Sequence, residues 1–269
     1  FGWGIEGAAW ATVIAMAVSA AFVMQHFLSS KSEVQFRKRN MRFSSEQILA
    51  ILSIGMSPFF LQLLSSGIAF LINKTLADYS ESPLMADRAI GAYGIINSAA
   101  LVGFMFMLGI AQGMQPIIGF NYGARALDRV RQTFKLCSTA NLSIGAFVTL
   151  VAVIAPSFIA SLFTSSPEMI EASARALRLC LYGFAFVGFQ VTATQFFQSI
   201  GFGGKALLLS LSRQVLFLLP ALFLFPLCWG EIGVWIALPF SDIAAGVLGM
   251  LLMYYQFKKF DQQFSSEGL

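Results

Sequence analysis

Two ionisable residues in this 269-residue sequence stand inside long apolar runs, Asp242 and Arg213. Charges at membrane depth are costly, so each is a functional hypothesis by default. Asp242 lies roughly 18 Å by helical rise beyond Gly230. A carboxylate there can carry a proton or bind a cation, or it can be satisfied structurally by polar groups of neighbouring helices. Arg213 lies about two helical turns past Lys205. It reads as an arginine that snorkels to the inner interface or pairs with a carbonyl.

Uncharged polar residues form a second set. Gln190, Thr194 and Gln198 recur every four residues, which places them on one helical face with Gln195 beside it. Gln62, Ser65 and Ser66 interrupt another apolar run, and Asn97 a third. Such groups can line a cavity and orient a substrate by hydrogen bonds, against Phe and Met walls that repack around different shapes. The competing role is hydrogen bonding between helices. Pro58, Pro116, Pro220, Pro226 and Pro239 each remove a backbone hydrogen bond and bend a helix, serving as hinges or as static kinks. Pro58 and Pro116 are hinge candidates, and Gln115-Pro116 followed by Gly119 is the strongest of these.

Covalent catalysis has no support. The single histidine, His26, falls near the end of an apolar run, where interfacial solvation is expected. Cys137, Cys180 and Cys228 have neither metal-ligand spacing nor a disulfide framework, and read as small buried hydrophobes. No phosphate loop and no Ser/His/Asp set occurs. The sequence predicts no enzyme, no cofactor and no metal site.

The elements that must position these residues are dictated by composition. Hydrophobic residues make up 57% and charged residues 11%. A soluble chain has roughly 25% charged residues and more surface than these charges can cover. An ordinary soluble enzyme, a disordered chain and a nucleic-acid binder are thereby excluded. Spanning a bilayer takes about 20 apolar residues per helix. Seven runs qualify, at about 5–28, 47–73, 89–119, 132–163, 176–200, 206–229 and 232–257. The fold class is therefore all-α integral membrane.

The connectors between these runs alternate in charge. The first carries Lys31, Arg37, Lys38, Arg39 and Arg42 against Glu33, and the second Asp78, Glu81 and Asp87 against Arg88. The third carries Arg125, Arg129, Arg131 and Lys135 against Asp128, and the chain leaves its last run at Lys258-Lys259. The positive-inside rule then puts the amino end outside and the carboxyl end in the cytoplasm, in the plasma (inner) membrane. Trp3, Trp10, Trp229 and Trp235 fall near the outer face, as an aromatic belt requires. The net charge of +4 is an orientation signal, not a nucleic-acid surface.

The first and last runs echo one another. Ile5-Glu6-Gly7-Ala8-Ala9-Trp10-Ala11 and Glu231-Ile232-Gly233-Val234-Trp235-Ile236-Ala237 both join an outer acid, a Gly-x-x-x-Ala pair and a tryptophan. Six spans separate the two, the spacing expected if a six-span unit occurs twice, as in parallel-repeat transporters. The predicted parts are the last helix of an amino-terminal lobe (1–30), a basic cytoplasmic connector (31–46), a carboxyl-terminal six-helix lobe (47–257) and a cytoplasmic tail (258–269). Beginning at Phe1 without an initiator methionine, the stretch reads as seven of twelve spans. Alone it holds half a cavity and is expected not to transport.

The run Gly109-Ile110-Ala111-Gln112-Gly113-Met114-Gln115-Pro116-Ile117-Ile118-Gly119-Phe120-Asn121-Tyr122-Gly123-Ala124 resembles the end of the eighth helix of multidrug and toxic compound extrusion (MATE) transporters. The resemblance continues in Gln195-Phe196-Phe197-Gln198-Ser199-Ile200-Gly201, in Ser212 to Pro220, and in Gly4 to Thr12, so it covers nearly the whole sequence in register with helices six to twelve. It implies two six-helix lobes around a central cavity. It also implies an antiporter that exports amphipathic, often cationic compounds in exchange for Na+ or H+. Some sodium-coupled members have acids in this lobe at the positions of Gln62 or Ser65 and of Phe189, none of which is acidic here. The coupling-ion site is thus expected mainly in the missing amino-terminal lobe. The implied partners are the lipid bilayer, that lobe and small substrates.

Two other classes fit parts of this pattern. A seven-span receptor shares the topology but has no reason for its end helices to match. A lipid-linked flippase of similar two-lobe plan calls for a more cationic cavity than Arg213 supplies.

Overall fold

A computed structural model describes residues 3–28 and 44–266. Most of the basic connector expected at 31–46 lies outside them. The chain divides into two compact units, 1–59 and 60–269. The first holds α1 (Gly4–Leu28) and the opening turns of α2 (Ser45–Tyr79), in agreement with the first two apolar runs.

The second unit carries the remainder of α2, followed by α3 (Pro83–Gly123), α4 (Leu127–Ile154) and a short α5 (Pro156–Ser161). After these come α6 (Pro167–Cys180), α7 (Phe184–Ser199) and α8 (Gly203–Leu211). A π-helical turn (Ser212–Leu218) leads into α9 (Leu219–Trp229), and α10 (Glu231–Ser266) closes the fold. The helix starts have clear local causes. Ser82 caps α3 by accepting the Met85 N–H, and Pro83 occupies a first-turn position where its missing donor costs nothing. Gly230 turns the chain from α9 to α10 at φ +57°, a conformation that favours glycine.

Four continuous helical stretches among the described residues are long and apolar enough to cross a membrane: Pro83–Gly123, Leu127–Ile154, Gly203–Trp229 and Glu231–Gln262. The fifth expected run, 176–200, is not one straight helix. α6 and α7 meet at a 54° bend across 181–183, and form a fifth span if counted as one broken element. The fourth run, 132–163, also breaks, because Pro156 ends α4 and starts α5. Large apolar side chains such as Phe106, Phe120 and Leu136 project outward, as a hydrocarbon surround allows. This is a multi-pass membrane protein.

Inside, the helices approach closely where a side chain is missing. A Cβ on Gly188 of α7 would collide with the Asn141 backbone of α4, and one on Gly145 of α4 would lie 2.6 Å from the Ala185 Cα of α7. Small residues give apolar helices van der Waals contact when no water is available to drive them together. The Gly-x-x-x-Ala pair of the last run serves this purpose, since Gly233 packs on the Phe225 backbone of α9 and Ala237 is fully buried. Asn141 adds polar glue by donating through Nδ2 to Met107 O of α3 (3.1 Å) and Thr192 Oγ1 of α7 (2.8 Å). Towards the other end, Phe134 meets Phe196 edge-on at 5.3 Å and Phe257 at 5.5 Å, tying α4, α7 and α10 together.

Trp235 departs from the expected aromatic belt. It is 5% exposed and donates its indole N–H to Glu231 Oε1 at 3.1 Å, whereas Trp3, Trp10 and Trp229 are exposed.

Candidate functional site: a cavity around a buried ion pair

Local breaks in three helices converge on one place. Pro239 in α10 has no N–H, which leaves the Trp235 carbonyl without its usual helical donor. The Cys180 thiol at the end of α6 faces that oxygen at 3.8 Å. One residue beyond, Leu181 O accepts the Phe184 N–H at 3.2 Å across the bend and, as a second donor, the Thr149 hydroxyl of α4 at 2.8 Å. Gly183, within the bend, lets the chain lie against α10: a Cβ there would come within 2.8 Å of Pro239 O and 3.2 Å of Asp242 Cβ. Non-helical backbone at membrane depth persists only where protein or a cavity satisfies it.

The third break is the π-helical turn. Pro220 brings no N–H to the carbonyl four residues before it, and the Leu219 N–H bonds instead to Gln214 O, five residues back. This turn carries Arg213 and Gln214. Arg213 donates through Nε to Asp242 Oδ1 at 2.6 Å, and Gln214 donates through Nε2 to Ser65 Oγ of α2 at 2.9 Å. The expectation that Arg213 snorkels or meets a carbonyl is therefore corrected. Its partner is the carboxylate 29 residues on, whose Oδ1 accepts the bond.

Arg213, Gln214, Ser65 and Asp242 border an open cavity of about 430 Å³ lined by α2, α3, the α6–α7 bend, the π-helical turn and α10. Its walls are apolar, with Ile72, Phe184 and Leu238 prominent, and its polar lining includes Gln62, Ser66, Asn97, Tyr93 and Gln214. Its volume falls in the range of small-molecule sites, with polar and apolar side chains sharing the lining. Arg213 and Asp242 are the charged residues of the lining among the described residues.

The structure brings together only some of the residues singled out by sequence. Gln62, Ser66, Asn97 and Asp242 border the cavity. Gln190, Thr194, Gln195 and Gln198 do not. Gln190 is 5% exposed and donates to Leu209 O of α8 at 2.7 Å, which is an interhelical bond. Pro116 lies on an exposed face within the unbroken α3, and Pro58 lies within α2. Of His26, only its place in α1 is described. Tyr93 and Gln214 escaped notice in the sequence. Gln214 had a usable signal, a second polar residue beside Arg213 just ahead of Pro220, whereas Tyr93 in a mostly apolar helix had none.

Comparison with known proteins agrees with this architecture. The MatE family profile matches residues 60–223. Multidrug export protein MepA of Staphylococcus haemolyticus is 24% identical over 252 residues, covering 93% of this chain and 54% of that protein. MepA of Staphylococcus aureus (strain MSSA476) is 25% identical over 259 residues, covering 94% and 54%. The chain spans about half the length of the curated relatives it matches. Among solved structures, an inward-facing conformation of a multidrug resistance MATE family transporter of the MOP superfamily superposes with a TM-score of 0.79 at 24% identity, covering 97% of this chain and 60% of that one. The crystal structure of MATE in complex with MaL6 gives a TM-score of 0.79 at 22% identity, covering 97% and 58%.

Proposed function

From the premise that this chain belongs to the MatE family of transporters, we propose that it forms the carboxyl-terminal part of a secondary antiporter exporting amphipathic, often cationic compounds. In this reading, the whole protein exchanges substrate for Na+ or H+ by alternating access. The chain supplies the last helix of one lobe and the six-helix second lobe, seven spans in all. Its amino end lies outside the plasma membrane and its carboxyl end in the cytoplasm. The coupling-ion site lies mainly outside this stretch, and Pro58 and Pro116 are the candidate hinges. The family is one of transporters, not enzymes.

The observation that carries the proposal is the cavity itself. A space of about 430 Å³, walled by Phe184 and aliphatic side chains and edged by Gln62, Asn97, Tyr93 and Gln214, suits a flat apolar body with scattered polar atoms. The names of the MepA relatives point to multidrug export. The test is ethidium efflux from cells expressing the complete gene product, with the Na+ and H+ gradients collapsed separately. Efflux that stops with one gradient supports the antiport reading and identifies the coupling ion. Efflux indifferent to both refutes it.

A further inference from the structure

The two charged side chains bordering the cavity are unequally presented. The Asp242 side chain is 4% exposed and that of Arg213 is 33% exposed. A ligand in the cavity therefore meets the guanidinium before the carboxylate. Among the described residues, Nε is the guanidinium nitrogen with a hydrogen-bond partner, so the four N–H groups of the terminal nitrogens are uncommitted. The 2.6 Å bond to Asp242 also fixes the plane of the guanidinium. A fixed guanidinium with its terminal edge open is the fork that takes a carboxylate in two parallel hydrogen bonds.

We infer that Arg213 is a specificity-determining residue that holds the carboxylate of an amphipathic substrate, with Asp242 as its positioning residue. The inference rests on the reading of this cavity as the substrate site. A ligand carrying only positive charge is held in the cavity by its apolar body and polar atoms, without using the uncommitted guanidinium edge. One that also bears a carboxylate places it on Arg213 and leaves its apolar body against Phe184 and Leu238. Gln62 and Asn97 accept or donate to the polar remainder.

A matched pair of dyes isolates the carboxylate: rhodamine B, which has a free one, and its ethyl ester, which does not. Binding of each to the purified complete gene product is read by fluorescence anisotropy, and gradient-driven movement of each is followed in proteoliposomes. The wild type is expected to bind the acid about tenfold or more tightly than the ester, the scale of a charge-assisted bidentate contact. Arg213→Gln is expected to abolish that preference, so that acid and ester bind with the same affinity. Arg213→Lys, which keeps the charge without the fork, is expected to retain part of it. Asp242→Asn keeps an oxygen that accepts from Nε, and so the positioning, while removing the competing negative charge, and is expected to raise the preference for the acid, whereas a merely structural pair would weaken both dyes equally. If Arg213→Gln fails to fold, the Lys and Asn variants decide the matter. Equal affinity for acid and ester in the wild type, or an unchanged preference in Arg213→Gln, overturns the assignment. Preferential binding of the acid with no gradient-driven movement of either dye refutes export and leaves the carboxylate site standing.

Discussion

Arg213 and Asp242 are joined at 2.6 Å between a π-helical turn and the middle of α10, where Pro239 and Gly183 allow the neighbouring bend to approach. The pair is half-hidden: the acid is buried and the base reaches the cavity. Removing either partner leaves the other with a charge it cannot hydrate fully. Asp242→Ala is expected to cost about 1–3 kcal/mol, below the range for wholly buried pairs because Arg213 is partly exposed. The double variant Arg213→Met/Asp242→Leu is expected to be more stable than Asp242→Ala alone. Thermal unfolding of the purified complete protein in detergent checks both. A double variant less stable than the single one would show that the two residues act independently.

Gly188 tests the close packing of α4 on α7. A methyl group there meets the Asn141 backbone, so Gly188→Ala is expected to lose about 1–3 kcal/mol by overpacking. Gly94→Ala on an open face of α3 is the control, with an expected change within about 0.5 kcal/mol. Unfolding midpoints of the two variants, measured side by side, give the comparison.

Gln190 separates a helix-joining residue from a cavity residue. Gln190→Leu is expected to lower stability by about 0.6 kcal/mol, the average for an interhelical hydrogen bond in a membrane. Substrate affinity should not change, because Gln190 does not border the cavity. Gln214→Leu is expected to weaken substrate binding severalfold, since it removes a polar lining group and its bond to Ser65. Equilibrium dye binding to both variants distinguishes the roles.

Lys205 secures the α7–α8 turn. Its Nζ donates to Gln256 Oε1 of α10 at 2.6 Å and lies 5.2 Å from the ring centres of both Phe197 and Phe202. Lys205→Met is expected to cost about 1 kcal/mol, and Lys205→Arg appreciably less, because arginine keeps both the charge and the ring contacts. Hydrogen exchange in 198–204 should quicken in the Met variant.

Much of the fold is legible in the sequence because a bilayer permits few solutions. Apolar runs about 20 residues long must be helices, and α3, the continuous stretch Gly203–Trp229 and α10 follow them closely. The bend at 181–183 is not legible, because no proline marks it. It is braced by partners far away in sequence, Thr149, which donates to Leu181 O, and α10, which lies beside Gly183. The site divides in the same way. Asp242, Arg213, Gln62, Ser66 and Asn97 stand out as polar groups in apolar surroundings. That Arg213 and Asp242 meet depends on the register of two helices, which the local pattern of residues does not reveal. The regular spacing of Gln190, Thr194 and Gln198 correctly marks a face of α7, yet the spacing cannot say what covers that face. Gln190 is buried against α8, while Gln198 is exposed.

If this cavity lies on the substrate's path, a bound substrate protects a single cysteine placed in its lining. Cys137, Cys180 and Cys228 are replaced by serine in the complete gene product, and a cysteine is introduced by Asn97→Cys or by Thr194→Cys. Maleimide labelling is then timed with and without saturating ethidium. Ethidium is expected to slow labelling severalfold at position 97, which borders the cavity, and to leave the rate at position 194 unchanged. Equal labelling at position 97 with and without ethidium, under conditions where the same protein binds ethidium, would contradict this expectation.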